Sequence, residues 1–130
     1  MVGLIQYYDN KDISLIIEGD VITPERVKSL TLKNLQIRAA FVGYTDATHL
    51  DTIINYAHLK KDWVQRQIEE QNGDETAVRE QLGKEVENSK QIAAESVKYG
   101  YEFFSPEASS FEEYQNKVVG YLIKNDIPTP

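Results

Sequence analysis

The residues best placed to do chemistry are Glu18 and Asp20, which flank Gly19 at the end of the apolar run Ile13-Ser14-Leu15-Ile16-Ile17. Carboxylates just past the C-terminal end of a buried parallel strand lie where open α/β sheets bind ligands. In that position their oxygens can hold Mg2+, directly or through water, or orient a reacting hydroxyl. Gly19 carries no Cβ and so lets a ligand approach the backbone closely. The same residues also have a plainer reading, in which both carboxylates end a strand in solvent and Asp20 helps to cap the following helix.

Other candidates are weaker. His49 and His58 stand nine apart, neither within a short metal-ligand motif, and both are expected on a helix surface. Ser96 falls inside a helical pattern with no paired His or Asp, so it is not an activated nucleophile. The eight tyrosines do not interleave with a basic run, which argues against a stacking platform for single-stranded nucleic acid. Glu69-Glu70 and Glu112-Glu113 read as solvated charge.

Positioning Glu18 and Asp20 requires a strand before them. Ile13–Glu18 is short, β-branched and almost continuously apolar, the pattern of a strand buried on both faces. Thr23-Pro24-Glu25 then opens a helix, with Thr23 as N-cap and Pro24 at the first helical position; Val27 and Leu30 face the core. Ile37–Tyr44 reads as a second buried strand. Thr45-Asp46 follows as a cap, and Leu50, Ile53, Ile54 and Ala57 recur at helical spacing, in a helix that runs on, with or without a break, through Trp63, Val64 and Ile68.

The polar stretch Gln71–Thr76 reads as a loop. A third helix is expected over Val86–Tyr99, with Ile92, Ala93, Ser96 and Val97 buried and Gly100 as its stop. Tyr101–Phe104 makes a short third strand. Ser110-Phe111-Glu112-Glu113 is a capping box. It opens a last helix with Phe111, Tyr114, Val118, Tyr121 and Leu122 on one side. This alternation predicts an α/β fold, a three-layer parallel sheet flanked by helices, in one domain over residues 1–124 with a tail at 125–130.

Composition bounds the partners. The chain has 130 residues, 41% hydrophobic and 27% charged, enough for one domain with its own core. It has no cysteine, which excludes disulfides and thiolate metal sites and is compatible with a cytoplasmic address. No apolar run nears the roughly 20 residues that span a bilayer. Met1–Tyr8 lacks the basic region and long apolar core of a secretion signal. A formal net charge of −7 argues against broad binding to a nucleic-acid backbone, which needs clustered Lys and Arg. It leaves room for a small-molecule or nucleotide ligand held by a few groups.

The run Ser14-Leu15-Ile16-Ile17-Glu18-Gly19-Asp20, followed by Ile22 and Pro24, resembles the second acidic motif of small P-loop kinases, the group around shikimate kinase, zeta-toxin-like kinases and 2-phosphoglycerate kinase-like proteins. Arg38-Ala39-Ala40-Phe41-Val42, Asp62-Trp63, Ser96 and Tyr99-Gly100 match later features of that pattern, so the resemblance covers about Ile13 to Leu122. It implies ATP and Mg2+ as cofactors in intact relatives. It places Glu18 and Asp20 near the metal and the acceptor, with Gly19 on the nucleotide side. It makes residues 72–85 the lid region, with Arg66 or Arg79 available to contact the transferring phosphate. Read from the residues alone, both arginines are helix-surface charges paired with neighbouring glutamates.

One departure is large. The pattern G-x-x-x-x-G-K-[ST] is absent; the only Gly-Lys pair, Gly83-Lys84, is followed by Glu85. Without it the chain lacks the amide cradle, the lysine and the hydroxyl that hold phosphates and magnesium. Only 12 residues precede Ile13, so the chain reads as the C-terminal portion of a kinase, inactive alone. In such kinases the phosphate-loop strand lies between the counterparts of Ile13–Glu18 and Ile37–Tyr44. Its absence leaves three options. The two strands pair directly, Leu4–Tyr8 supplies a replacement strand, or a complementing chain or homo-oligomer fills the gap. A second function class stays open beside the first: a non-enzymatic acidic module that binds a protein or a small ligand.

Overall fold

A computed structural model describes residues 2–9, 11, 14–60, 62–106 and 110–124, without the side chains of Val2, His58, Leu59 and Lys60. The expected tail at 125–130, the side chain of His58 and the first strand residue Ile13 lie outside the described residues. The elements in chain order are α1 (Val2–Tyr8), α2 (Pro24–Lys28), β1 (Ala40–Val42), α3 (Leu50–Lys60), α4 (Trp63–Glu70), α5 (Thr76–Tyr99), β2 (Glu102–Phe104) and α6 (Phe111–Leu122). A 3₁₀ turn, Ala47–His49, leads into α3. The chain is therefore mixed α/β and mostly helical.

Local signals set most helix ends. The Thr23 hydroxyl accepts from the Arg26 amide, and Pro24 opens α2. Asp62 Oδ1 accepts from the Val64 and Gln65 amides at 2.9 and 3.2 Å, which breaks the helix between α3 and α4. Ser110 and Glu113 form the reciprocal capping box of α6. Gly100, at φ 79°, ends α5 in the left-handed conformation, and the Tyr101 amide then donates to the Ser96 carbonyl at 2.8 Å.

The core is a helical layer. Ile54 and Ala57 of α3, Val64 and Ile68 of α4, and Val78 and Leu82 of α5 form one buried cluster, with Leu50 and Ile53 packed against it. Each of the Ile, Val and Leu side chains contributes roughly 1.5–3 kcal/mol on burial, and Ala57 less. α5 continues from this cluster across one face of the sheet, where Gly43 lies against Ser89 and the Phe41 and Tyr101 rings are 5.8 Å apart. Val42 and Phe104 face the other way, toward α6, and Phe104 meets Tyr121 at 5.7 Å. Alternation with period two accounts for this division of the strand residues.

The sheet itself is small. β1 and β2 run parallel, with Ala40 opposite Glu102, Phe41 opposite Phe103 and Val42 opposite Phe104. The expected strand Ile13–Glu18 is not part of it. Residues 14–19 have no regular structure and are exposed throughout, Ile16 at 93%. A strand acquires its two covered faces from neighbours, and among the described residues no ladder includes this segment. The second expected strand contracts to Ala40–Val42. Before it, Arg38 turns away to donate to the Tyr121 and Lys124 carbonyls at the end of α6. Leu4–Tyr8 is helix, not a replacement strand.

Two helical expectations also change. α5 starts ten residues before Val86, at Thr76, so most of the expected lid segment 72–85 is helix. Val78, Leu82 and Val86 recur every four residues and are all buried. Their spacing is masked in the sequence by the surrounding charge, which pairs along the helix as Glu75–Arg79 and Glu80–Lys84. At the other end of α5, Ser96 is fully buried while Val97 is 80% exposed, because the buried stripe passes one residue before it. α6 buries no residue completely, and Phe111 and Leu122 stay exposed.

Candidate functional site

Glu18, Gly19 and Asp20 follow the unpaired segment, ahead of the turn that leads to Thr23 and α2. All three are exposed. Neither carboxylate makes a hydrogen bond or ion pair among the described residues, so Asp20 does not cap α2; that role belongs to Thr23. They are thus two hard oxygen donors on irregular backbone, a donor set suited to Mg2+, which commonly takes one or two carboxylates and completes its shell with phosphate oxygens and water. Among the described residues no three His, Asp or Glu side chains converge as a metal-binding group.

The groups assigned to the nucleotide do not gather there. The Arg79 guanidinium is held by Asp51 at 2.7 Å and by Glu75 at 2.8 Å, linking α5 to the start of α3. These two carboxylates raise its pKa, Asp51 first. Arg66 lies exposed on α4, with no side-chain bond among the described residues. Neither arginine is accompanied by a G-x-x-x-x-G-K-[ST] loop, whose amides cradle ATP phosphates in P-loop proteins.

The C-terminal end of the actual sheet carries different residues. After β1 the chain passes Gly43 and Tyr44 to Asp46, whose carboxylate accepts from the Thr48 amide at 2.8 Å. That bond, together with the Thr48 hydroxyl and the charges of His49 and Lys90, holds the Asp46 carboxyl below the usual range. The Tyr44 and His49 rings stand 6.2 Å apart. Here, past the parallel strand ends, the fold brings together an acid, an imidazole, a phenol and an amine. In the sequence Asp46 reads only as a cap and His49 as a surface residue. The available signal was the position of Thr45-Asp46 after an apolar strand, the same signal that drew attention to Glu18.

Two surface grooves among the described residues lie away from these groups. One, of about 500 Å3, is an open groove between β1 and α6 lined by Val42, Tyr114, Gln115, Asn116, Val118 and Val119. Burial against this groove raises the pKa of Tyr114. The other, of about 390 Å3, lies between the outer face of β2 and the end of α6.

No protein-family model, curated protein or solved structure matches the chain.

The arrangement therefore offers surfaces more readily than a catalytic centre. Glu18 and Asp20 are free to bind but unsupported. Arg79 is engaged elsewhere, and the sheet end is self-paired. Among the described residues no helix is long and apolar enough to cross a membrane.

Proposed function

We propose that this chain is the C-terminal part of a kinase-like α/β fold, and that it acts by accepting a β-strand from outside rather than by turning over a nucleotide alone. The observation that carries this reading is a pair of unmet requirements. Leu15, Ile16 and Ile17 are exposed outside the sheet, while among the described residues β1 pairs only with β2 and leaves its other edge open. A parallel strand inserted between them would pair with both. It would turn a two-stranded sheet into a four-stranded one and cover the apolar side chains. Two of the three ways of closing the gap do not occur here: residues 14–18 do not pair with β1, and residues 4–8 are helical.

On this reading Glu18 and Asp20 become a metal and acceptor site only once the inserted strand stiffens the segment before them and a phosphate loop arrives with it. The complementing strand comes from another chain or from a second copy, in a cytoplasmic setting compatible with the cysteine-free composition. No saturable heat is expected when Mg-ATP is titrated into the isolated chain. A synthetic apolar strand followed by a G-x-x-x-x-G-K-[ST] loop should slow hydrogen exchange at Leu15–Ile17 and Ala40–Val42 together. Tight Mg-ATP binding by the chain alone, or a strand peptide that protects neither segment, would overturn the proposal.

The second reading, a binding module without any phosphotransfer role, is favoured by the engagement of Arg79 with Asp51 and Glu75. It is separated by the double substitution Glu18→Ala, Asp20→Ala. A pure module keeps its partner binding after that change, whereas a complemented kinase loses activity while still accepting the strand.

A further inference from the structure

The loop before β1 holds an anion. Three successive backbone amides converge on one carboxylate: Lys33 N donates to Asp9 Oδ2 at 2.8 Å, Asn34 N to Asp9 Oδ1 at 2.9 Å, and Leu35 N to Asp9 Oδ1 at 2.8 Å. Successive N–H groups turned toward one point make a concavity with a fixed positive potential. The anion is delivered by an element 24 to 26 residues away in sequence, so the cradle is not a local turn of the residues that fill it. Asp9 is only 8% exposed. Its carboxyl is held below the ordinary range by these amides, the Lys33 amide first and then those of Leu35 and Asn34, with the Lys33 ammonium adding to them.

What brings Asp9 there is weakly held. α1 has seven residues, too few to be stable as an isolated helix. Its buried apolar contact is Ile5, while Leu4 and Tyr7 are exposed. Among the described residues, the buried Ile5 and Asp9 and the half-buried Tyr8 seat the N-terminal segment.

We infer that Lys33–Leu35 is a binding site for a tetrahedral oxyanion of the phosphate class, closed in this state by Asp9 of the chain itself. A phosphate presents more oxygens than a carboxylate and up to twice its charge to the same donors. Seating of Asp9 and binding of the anion are mutually exclusive, so the anion releases α1 and uncovers Ile5. Because Asp9 is tethered, its effective concentration is on the order of millimolar, which sets the level an external anion must exceed. The inference does not depend on the strand-accepting function.

The test uses the full chain, wild type and Asp9→Ala, at neutral pH and constant ionic strength. Sodium phosphate, phenyl phosphate and sodium acetate are each titrated against sodium chloride while the backbone amide resonances are followed. In Asp9→Ala, phosphate should shift the Lys33, Asn34 and Leu35 amides saturably. In the wild type the same shifts should need at least roughly tenfold more phosphate, given the tethered competitor. A stronger response to phenyl phosphate assigns the site to a phosphate monoester; an equal or weaker one assigns it to free phosphate. Where Asp9→Ala is poorly folded, phosphate should raise its melting temperature beyond the effect of chloride. Asp9→Asn, which keeps the shape and removes the charge, provides a folded comparison. Identical responses in wild type and variants, the absence of shifts at these amides in a folded variant, no phosphate-specific rise in a destabilised one, or acetate matching phosphate would each overturn the inference.

Discussion

At the residue scale, Asp9 and Gly43 each carry a contact that no neighbour can replace. The Asp9 carboxyl titrates below its ordinary value, and below the value it has in the unfolded chain, because three amides favour its ionised form. A depressed carboxyl pKa adds stability that is fully present above the unfolded value of about 3.9 and is lost as pH falls through the folded one. The difference in melting temperature between wild type and Asp9→Asn should therefore be largest near neutrality and shrink below about pH 4, once both chains carry an uncharged group there. Scanning calorimetry from pH 7 to 3 checks this, and a difference that stays constant contradicts it. Gly43 makes a different point. A Cβ there would overlap the Ser89 hydroxyl and lie 2.9 Å from Ser89 Cβ. Gly43→Ala should destabilise by about 1–3 kcal/mol. Adding Ser89→Gly should recover part of that loss in spite of the helix-propensity cost, so the two changes will be non-additive in urea melts.

At the element scale, α5 carries the structure. It supplies Val78 and Leu82 to the helical core, Ser89 to the back of β1 and the Gly100 turn into β2. Its one glycine, Gly83, has a helical backbone and open space where a Cβ would stand. Gly83→Ala should therefore stabilise by about 0.5–1 kcal/mol, visible as a rise in thermal midpoint. Arg79→Ala removes only exposed ion pairs and should cost no more than about 1 kcal/mol, less at high salt.

The helices announced themselves through residues that act locally: Thr23 with Pro24, Asp62, Gly100, and Ser110 with Glu113. Each cap works through bonds within a few positions, so spacing alone reveals it. The start of α5 was hidden because the charged residues Arg79, Glu80, Lys84 and Glu85 interrupt its three buried aliphatics over that stretch. Ile13–Glu18 reads as a buried strand because its side chains suit one, but burial belongs to the surroundings, and residues 14–18 have no strand partner among the described residues. The surroundings of the candidate site were hidden for the same reason. Glu18 and Asp20 depend on that strand, while Asp46 follows β1 directly in sequence and Lys90 reaches the sheet end only through the packing of α5 against β1.

At the scale of the whole molecule, the exposed apolar side chains are not scattered at random. Leu15, Ile16, Ile17 and Val21 follow one another around Glu18 and Asp20, and Val42 projects from β1 at 52% exposure. Ile16→Lys should leave the stability of the isolated chain within about 0.5 kcal/mol of wild type, since the side chain touches water already. It should abolish protection of residues 15–17 by an added strand. A large loss of stability in this variant would mean that the segment packs in the free chain, contrary to the structure.

The parallel pairing of Ala40 with Glu102 also sets the order of events in time. The two partners are separated by nearly half the chain, and closing so long a loop is entropically costly until the intervening segments have condensed. Those segments are α3, α4 and α5, whose mutual contacts are close in sequence and can form first. Substitutions at Ile54 should then slow folding, while those at Phe41 chiefly speed unfolding. The open edge of β1 is thus a property of the finished protein and not of its intermediates. Self-association through that edge will rise with the concentration of native chains and fall when they unfold, the reverse of aggregation driven by misfolding.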